Sequence, residues 1–232
     1  MNINPNHKHF GLFIFPGMTL LDFAGPYDVF SQLSNVTIHT VAVGLDPIKV
    51  SGGLQIMPNI TISNCPALDV ITVPGGGGVN DLMNDKIVLN FLRNQAQTAS
   101  YVTSVCTGSL VLGAAGLLKG YQATTHWLSL DLLRYFGAIP KPDRVVVDRD
   151  RITGGGITAG IDFALQVVAE IFGADEAKRI QLYLEYNPLP PFHAGHPSTA
   201  EPALVQSVQN QSATSIAQQE AIVKVAAQYF GK

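Results

Sequence analysis

Two cysteines occur in this chain, and one of them, Cys106, stands in Ser104-Val105-Cys106-Thr107-Gly108, between an apolar run and a run of small residues. A nucleophile at a strand-to-helix turn with a glycine two positions on has the form of a nucleophile elbow. The free N–H groups and positive dipole end of the following helix favour thiolate over thiol, so the sequence predicts an acidic, reactive Cys106. Cys65, in the loop-like Ser63-Asn64-Cys65-Pro66, lacks that context and reads as structural. The helix start after Cys106 also supplies candidate oxyanion donors, the N–H of Thr107 first, with a second pair expected at Gly75 and Gly76. No Lys-Ser or Lys-Thr follows those glycines, which argues against a phosphate loop. His126, in Thr125-His126-Trp127, ends a strand and can approach Cys106, although no Glu follows to orient it. The remaining histidines, 7, 9, 39, 193 and 196, show no ligand spacing with the cysteines, so no metal site is expected.

The elements that must position these residues alternate. Residues 10–15, 36–43, 70–73, 101–105, 122–125, 145–148 and 151–153 read as strands, several of them continuous apolar runs. Helical spacing covers 20–32, interrupted by Gly25-Pro26, then 81–97, 107–118, 128–135, 158–172, 175–186 and 213–230. Residues 54–57 and 59–63 look like short extended pieces, and 188–197 form a proline-rich connection. Apolar strands separated by helices imply a mostly parallel sheet covered on both faces, an α/β three-layer sandwich. Chemistry in such sheets collects at the carboxyl ends of the strands, here around Asp22, Gly75–Gly78, Cys106, His126 and Gly154–Gly156. The expectation is a single domain over residues 1–232, with 198–232 as a C-terminal helical extension.

Composition narrows the partners. The chain has 232 residues, with 14 Lys and Arg against 17 Asp and Glu and a net charge of -3, so it lacks the cationic surface that nucleic acid requires. Charged residues make up 13% against an ordinary share of about 25%, a surface that points to a homo-oligomer. The longest charge-free apolar stretch, 105–118, is too short for a membrane span, and the N-terminus lacks signal-peptide order, so a cytoplasmic protein with reduced thiols is expected.

Five segments together resemble the DJ-1/PfpI superfamily, a flavodoxin-like branch related to class I glutamine amidotransferases. They are Leu21-Asp22-Phe23-Ala24-Gly25-Pro26, Val73-Pro74-Gly75-Gly76, Val102 to Ser109, Ala123-Thr124-Thr125-His126-Trp127, and Thr153 to Gly160. Within that superfamily they are most similar to the isocyanide hydratase branch. The resemblance implies a homodimer without cofactor or metal, in which Cys106 attacks the terminal carbon of an isocyanide and Asp22 handles the protons. A carboxyl beside a thiolate and out of water is pushed toward its neutral, proton-donating form, so a raised Asp22 pKa is expected. The alternative role for Asp22 is capping the helix that starts near Phe23. Thr107 stands where protease-like and many chaperone-like members resemble one another in carrying His, so a local Cys-His dyad is missing and peptidase activity is disfavoured. Thr107 is expected to hydrogen-bond Asp22 or the substrate. The resemblance places Gly154-Gly155-Gly156-Ile157 beside the nucleophile, where an N–H of Gly155 or Ile157 would stabilise the thiolate or an intermediate. Phe23, Trp127, Phe192 and Tyr186 are candidate walls for an apolar substituent. Two other readings compete: a redox-responsive or glyoxalase-type cysteine protein, and a ligand-sensing amidase-like module.

Overall fold

A computed structural model describes residues 7–229; the first six residues of the leader reading, and Phe230 at the end of the last helix, lie outside them. The chain begins with β1 (Lys8–Phe13), α1 (Leu20–Phe30) and β2 (Val36–Ala42). A small hairpin, β3 (Ile48–Lys49) and β4 (Gln55–Ile56), and a short edge strand, β5 (Ile60–Thr61), precede β6 (Val70–Val73). Next come α2 (Val79–Leu82), α3 (Lys86–Gln95), β7 (Tyr101–Val105) and α4 (Gly108–Ala114). β8 (Gln122–Ala123), a 3-10 segment (Trp127–Phe136) and β9 (Ile139–Pro140) lead to β10 (Val145–Asp148) and β11 (Arg151–Gly154). Three helices complete the order, α5 (Ala159–Phe172), α6 (Ala174–Tyr183) and α7 (Pro202–Tyr229).

The seven-stranded sheet runs β10-β11-β7-β6-β1-β2-β5, with every neighbouring pair parallel except β10 and β11. β6 is buried along its whole length, as a strand covered on both faces must be. α1 packs on α5, and α5 on α6, while α4 packs with α2, α3, α7 and the 3-10 segment. This is the three-layer α/β sandwich expected from the alternation of elements. From β1 the chain moves outward to β2 and β5, then returns to β6 and proceeds the other way. The β1/β6 boundary is therefore a topological switch point, and the crevice outside its carboxyl ends receives the loops after β1, β6 and β7.

Several local expectations are corrected. Gly25-Pro26 does not interrupt α1, because those residues serve close packing on α5: a Cβ on Gly25 would lie 3.2 Å from Ile161, and one on Gly160 would lie 3.2 Å from Pro26. The helix expected over 81–97 breaks in two, since the Asp85 carboxylate accepts the N–H groups of Ile87 and Val88 and starts α3 afresh. α4 stops at Ala114 rather than 118, because Gly116 takes a positive φ of 84° and turns the chain. The last helix is longer than expected, starting at Pro202 instead of 213, because its first half is too polar for apolar spacing to reveal.

Candidate active site

Cys106 sits on the turn between β7 and α4 with φ at 55°, a left-handed backbone that a non-glycine residue adopts only where its surroundings enforce it. The enforcement is visible. Its N–H donates to the carbonyls of both Gly154 (3.0 Å) and Gly155 (2.9 Å), and its carbonyl accepts from the hydroxyls of Thr125 (2.9 Å) and Ser109 (3.2 Å). The residue is only 5% exposed.

Asp22, 0% exposed, lies in the first turn of α1 and does not cap it; Thr19 holds the cap position. Its Oδ2 instead accepts the Gly75 N–H at 3.0 Å, reaching across the crevice to the loop after β6. A Cβ built on Gly75 would stand 2.6 Å from Thr107 N, 2.8 Å from Asp22 Oδ2 and 2.8 Å from Cys106 Cβ. Three functional groups thus converge on one point that only glycine leaves open. Asp22 Oδ1 is buried with no hydrogen-bond partner, so the proton of the neutral acid belongs on that oxygen.

Burial raises the Asp22 pKa to about 7, against the lowering effects of the Gly75 N–H and of Cys106. Burial and the Asp22 charge push the Cys106 thiol well above its ordinary range, against the pull of the Thr107 N–H and hydroxyl. The expected acidic thiol meets an opposing effect: α4 has only seven residues, and burial beside the Asp22 carboxyl works against its helix start. Two anions this close do not coexist, so the pair titrates as a unit that carries one proton and one negative charge over a wide range.

Three of the expected oxyanion donors have other partners. Gly75 N–H is held by Asp22, Gly76 N–H donates to Thr107 Oγ1 at 3.0 Å, and Gly155 N–H donates to the Arg144 carbonyl at 2.9 Å. These groups position the site rather than face a substrate. With its oxygen accepting from Gly76, the Thr107 hydroxyl keeps its own proton for the Cys106 sulfur. His126 accepts the Leu128 N–H on Nδ1 at 3.4 Å, starting the 3-10 segment, and burial lowers its pKa toward the neutral form.

A cleft of about 480 Å³ adjoins the elbow, with Thr125, His126, Trp127, Gly155, Ile157 and His196 among its walls. Thr125 and Gly155, two of the residues that hydrogen-bond Cys106, also line this cleft. Of the other expected walls, Phe23 is buried against Tyr27, Tyr186 donates to Asp162, and Phe192 is 77% exposed. Thr125 and Ser109 were missed as holders of the elbow; hydroxyls within the Cys106 and His126 motifs were the available signal. No group of three or more His, Cys, Asp or Glu among the described residues is placed to hold a metal ion.

The DJ-1/PfpI family model matches residues 8–170, which include every group just described from Asp22 to Ile157. The chain belongs to the DJ-1/PfpI family. Among family relatives, the isonitrile hydratase of Pseudomonas putida is 55% identical over 206 residues, 89% of this chain and 90% of that protein. The HTH-type transcriptional regulator GbdR of Pseudomonas aeruginosa is 32% identical over 180 residues, which amount to 74% of this chain but 49% of the regulator. Among solved structures, a THiJ/PfpI family protein from Pseudomonas syringae superposes with a TM-score of 0.91 at 43% identity, covering 94% of this chain and 90% of that one. The DJ-1/PfpI fold is thus matched well beyond the sheet itself.

Proposed function

We propose that this DJ-1/PfpI member is an isocyanide hydratase, converting R–N≡C and water to the formamide R–NH–CHO without a cofactor. The observation that carries the reading is the 55% identity to an isonitrile hydratase over 89% of the chain. The buried Cys106–Asp22 pair supplies what that reaction needs, one nucleophile and one mobile proton in contact. In the first half-reaction the sulfur bonds to the isocyanide carbon while the Asp22 Oδ1 proton passes to that same carbon, giving the thioimidate R–N=CH–S–Cys106. Water then adds to the carbon as Asp22 takes one of its protons and the nitrogen takes the other. Collapse of the adduct forms the carbonyl, breaks the C–S bond and returns sulfur to the pair. The Thr107 hydroxyl stabilises sulfur whenever it bears charge.

Formamide release from a simple alkyl isocyanide tests the reading, with Cys106→Ala and Asp22→Asn alongside the parent. Turnover in the parent and a loss of about a thousandfold or more in both variants is expected; an inactive parent with an alkylatable Cys106 would overturn it in favour of aldehyde or redox chemistry. The acid limb of kcat/KM is expected near pH 7, where the pair first loses a proton, with activity rising as pH increases. A limb near pH 4 would remove the raised carboxyl from the mechanism.

The same reading includes a cytoplasmic homodimer, with the chain acting as one domain and residues 198–232 as its helical extension. Exposed Leu21, Tyr27, Leu182, Tyr183 and Leu189 give that dimer apolar surface to bury. No helix among the described residues is long and apolar enough to cross a membrane.

A further inference from the structure

α7 presents three buried residues, Gln219, Val223 and Ala226, and one of the three is an amide. A helix that only covered an apolar surface would be better served by Leu or Met, since a buried amide is unfavourable unless both its ends are bonded. Both ends of Gln219 are bonded. Its Oε1 accepts the Ser129 hydroxyl at 2.7 Å, and its Nε2 donates to Asn80 Oδ1 at 3.3 Å. Ser129 is itself buried, and Gln219 is 8% exposed.

The two partners sit on the two helical segments that follow the loops flanking Cys106. Ser129 lies in the first turn of the 3-10 segment, its N–H donating to the His126 carbonyl at 2.8 Å, and the preceding Thr125 holds the Cys106 carbonyl. Asn80 lies in α2, its N–H donating to Gly77 O at 3.3 Å, directly after the glycines that hold Asp22 and Thr107. One side-chain amide therefore fixes the spacing between the loop that carries the Asp22 contact and the loop that braces the elbow.

We propose that Gln219 is a positioning residue for the Cys106–Asp22 pair, acting through Ser129 and Asn80, so that the C-terminal helix is part of the site's scaffold. This rests on reading Cys106 and Asp22 as the reacting pair. Loosening the Asn80 arm frees the Gly75–Gly78 loop, weakens the Gly75 N–H contact to Asp22 and changes where the pair gives up its first proton. Loosening the Ser129 arm relaxes the brace on the Cys106 carbonyl.

The test uses the full chain with Gln219→Met, Asn80→Ala and Asn80→Asp, the last of which keeps an acceptor for Nε2. Melting temperature, the pH dependence of Cys106 alkylation by iodoacetamide, and kcat and KM for an alkyl isocyanide are measured. Gln219→Met is expected to lower kcat by about tenfold to a hundredfold with KM within about twofold, and to move the alkylation midpoint upward. Asn80→Ala is expected to shift the midpoint in the same direction, and Asn80→Asp to restore it. A lower melting temperature with the parent's kcat and the parent's alkylation profile would reduce Gln219 to a packing residue and overturn the proposal. Should Gln219→Met fail to fold, the half-buried Asn80 pair of variants decides the question alone. Alkylation needs no isocyanide, so an inactive parent would defeat the hydratase reading while the profile still judges Gln219.

Discussion

Asp22 holds its proton at the expense of folding stability. The native protein retains it up to about pH 7, whereas an unfolded chain releases it near 3.9, so the native state binds more protons between those values. Stability therefore falls as pH rises through that window, by an amount on the order of 4 kcal/mol, and is level above it. Asp22→Asn keeps an acceptor for Gly75 and carries no charge. In urea unfolding, its stability relative to the parent is expected to improve steadily from pH 4 to pH 7 while turnover is lost. A difference independent of pH would show that the carboxyl is not held neutral by the fold. Gly75→Ala probes the same point sterically: with its Cβ 2.6 Å from Thr107 N, it is expected to destabilise by about 1–3 kcal/mol and to lower kcat/KM by about a hundredfold. Near-parent activity in that variant would mean that the convergence of the three groups is not needed.

Among the elements, those remote from the crevice are expected to affect stability alone. Asp85 caps α3 through the Ile87 and Val88 N–H groups, so Asp85→Ala should cost about 1 kcal/mol in denaturation and leave kcat unchanged. A fall in kcat would reveal that the packing of α3 on α4 carries through to the nucleophile turn. The strands were legible because burial on both faces demands continuous apolar runs such as Val70–Val73, and few other structures tolerate them. The helix at 81–97 was misread because its apolar spacing carries on through Asn84 and Asp85; the cap residue was the signal, and periodicity hid it. Gly25-Pro26 was misread for the opposite reason. Those residues look like a helix break locally, yet packing against Gly160 and Ile161 selects them.

For the molecule as a whole, the expected state is a dimer, which light scattering should report as twice the 24.8 kDa chain mass at micromolar concentration. A monomer there would leave the exposed apolar residues without a partner. Residue type and position named Cys106, Thr107 and Gly75, the family resemblance named Asp22, and the fold brings all four together. The direction of each backbone N–H was not legible, because it depends on peptide rotation that no side chain records. Gly75, Gly76 and Gly155 thus lie around Cys106 and Asp22, with their N–H groups turned to Asp22, Thr107 and Arg144. Gln219 was also hidden, since its partners lie 90 and 139 residues away in sequence and a lone glutamine on a polar helix carries no pattern.

The enclosure of Asp22 Oδ1, buried and without a hydrogen-bond partner, has an isotopic consequence. In the proposed cycle, the hydrogen that one water molecule surrenders to Asp22 is the hydrogen delivered to carbon in the next turn. Where turnover outruns exchange at this buried oxygen, the cycle has a memory of one turn: after a rapid transfer from H2O to D2O, the first formamide released carries protium at its formyl carbon, and deuterium enters that position only from the second.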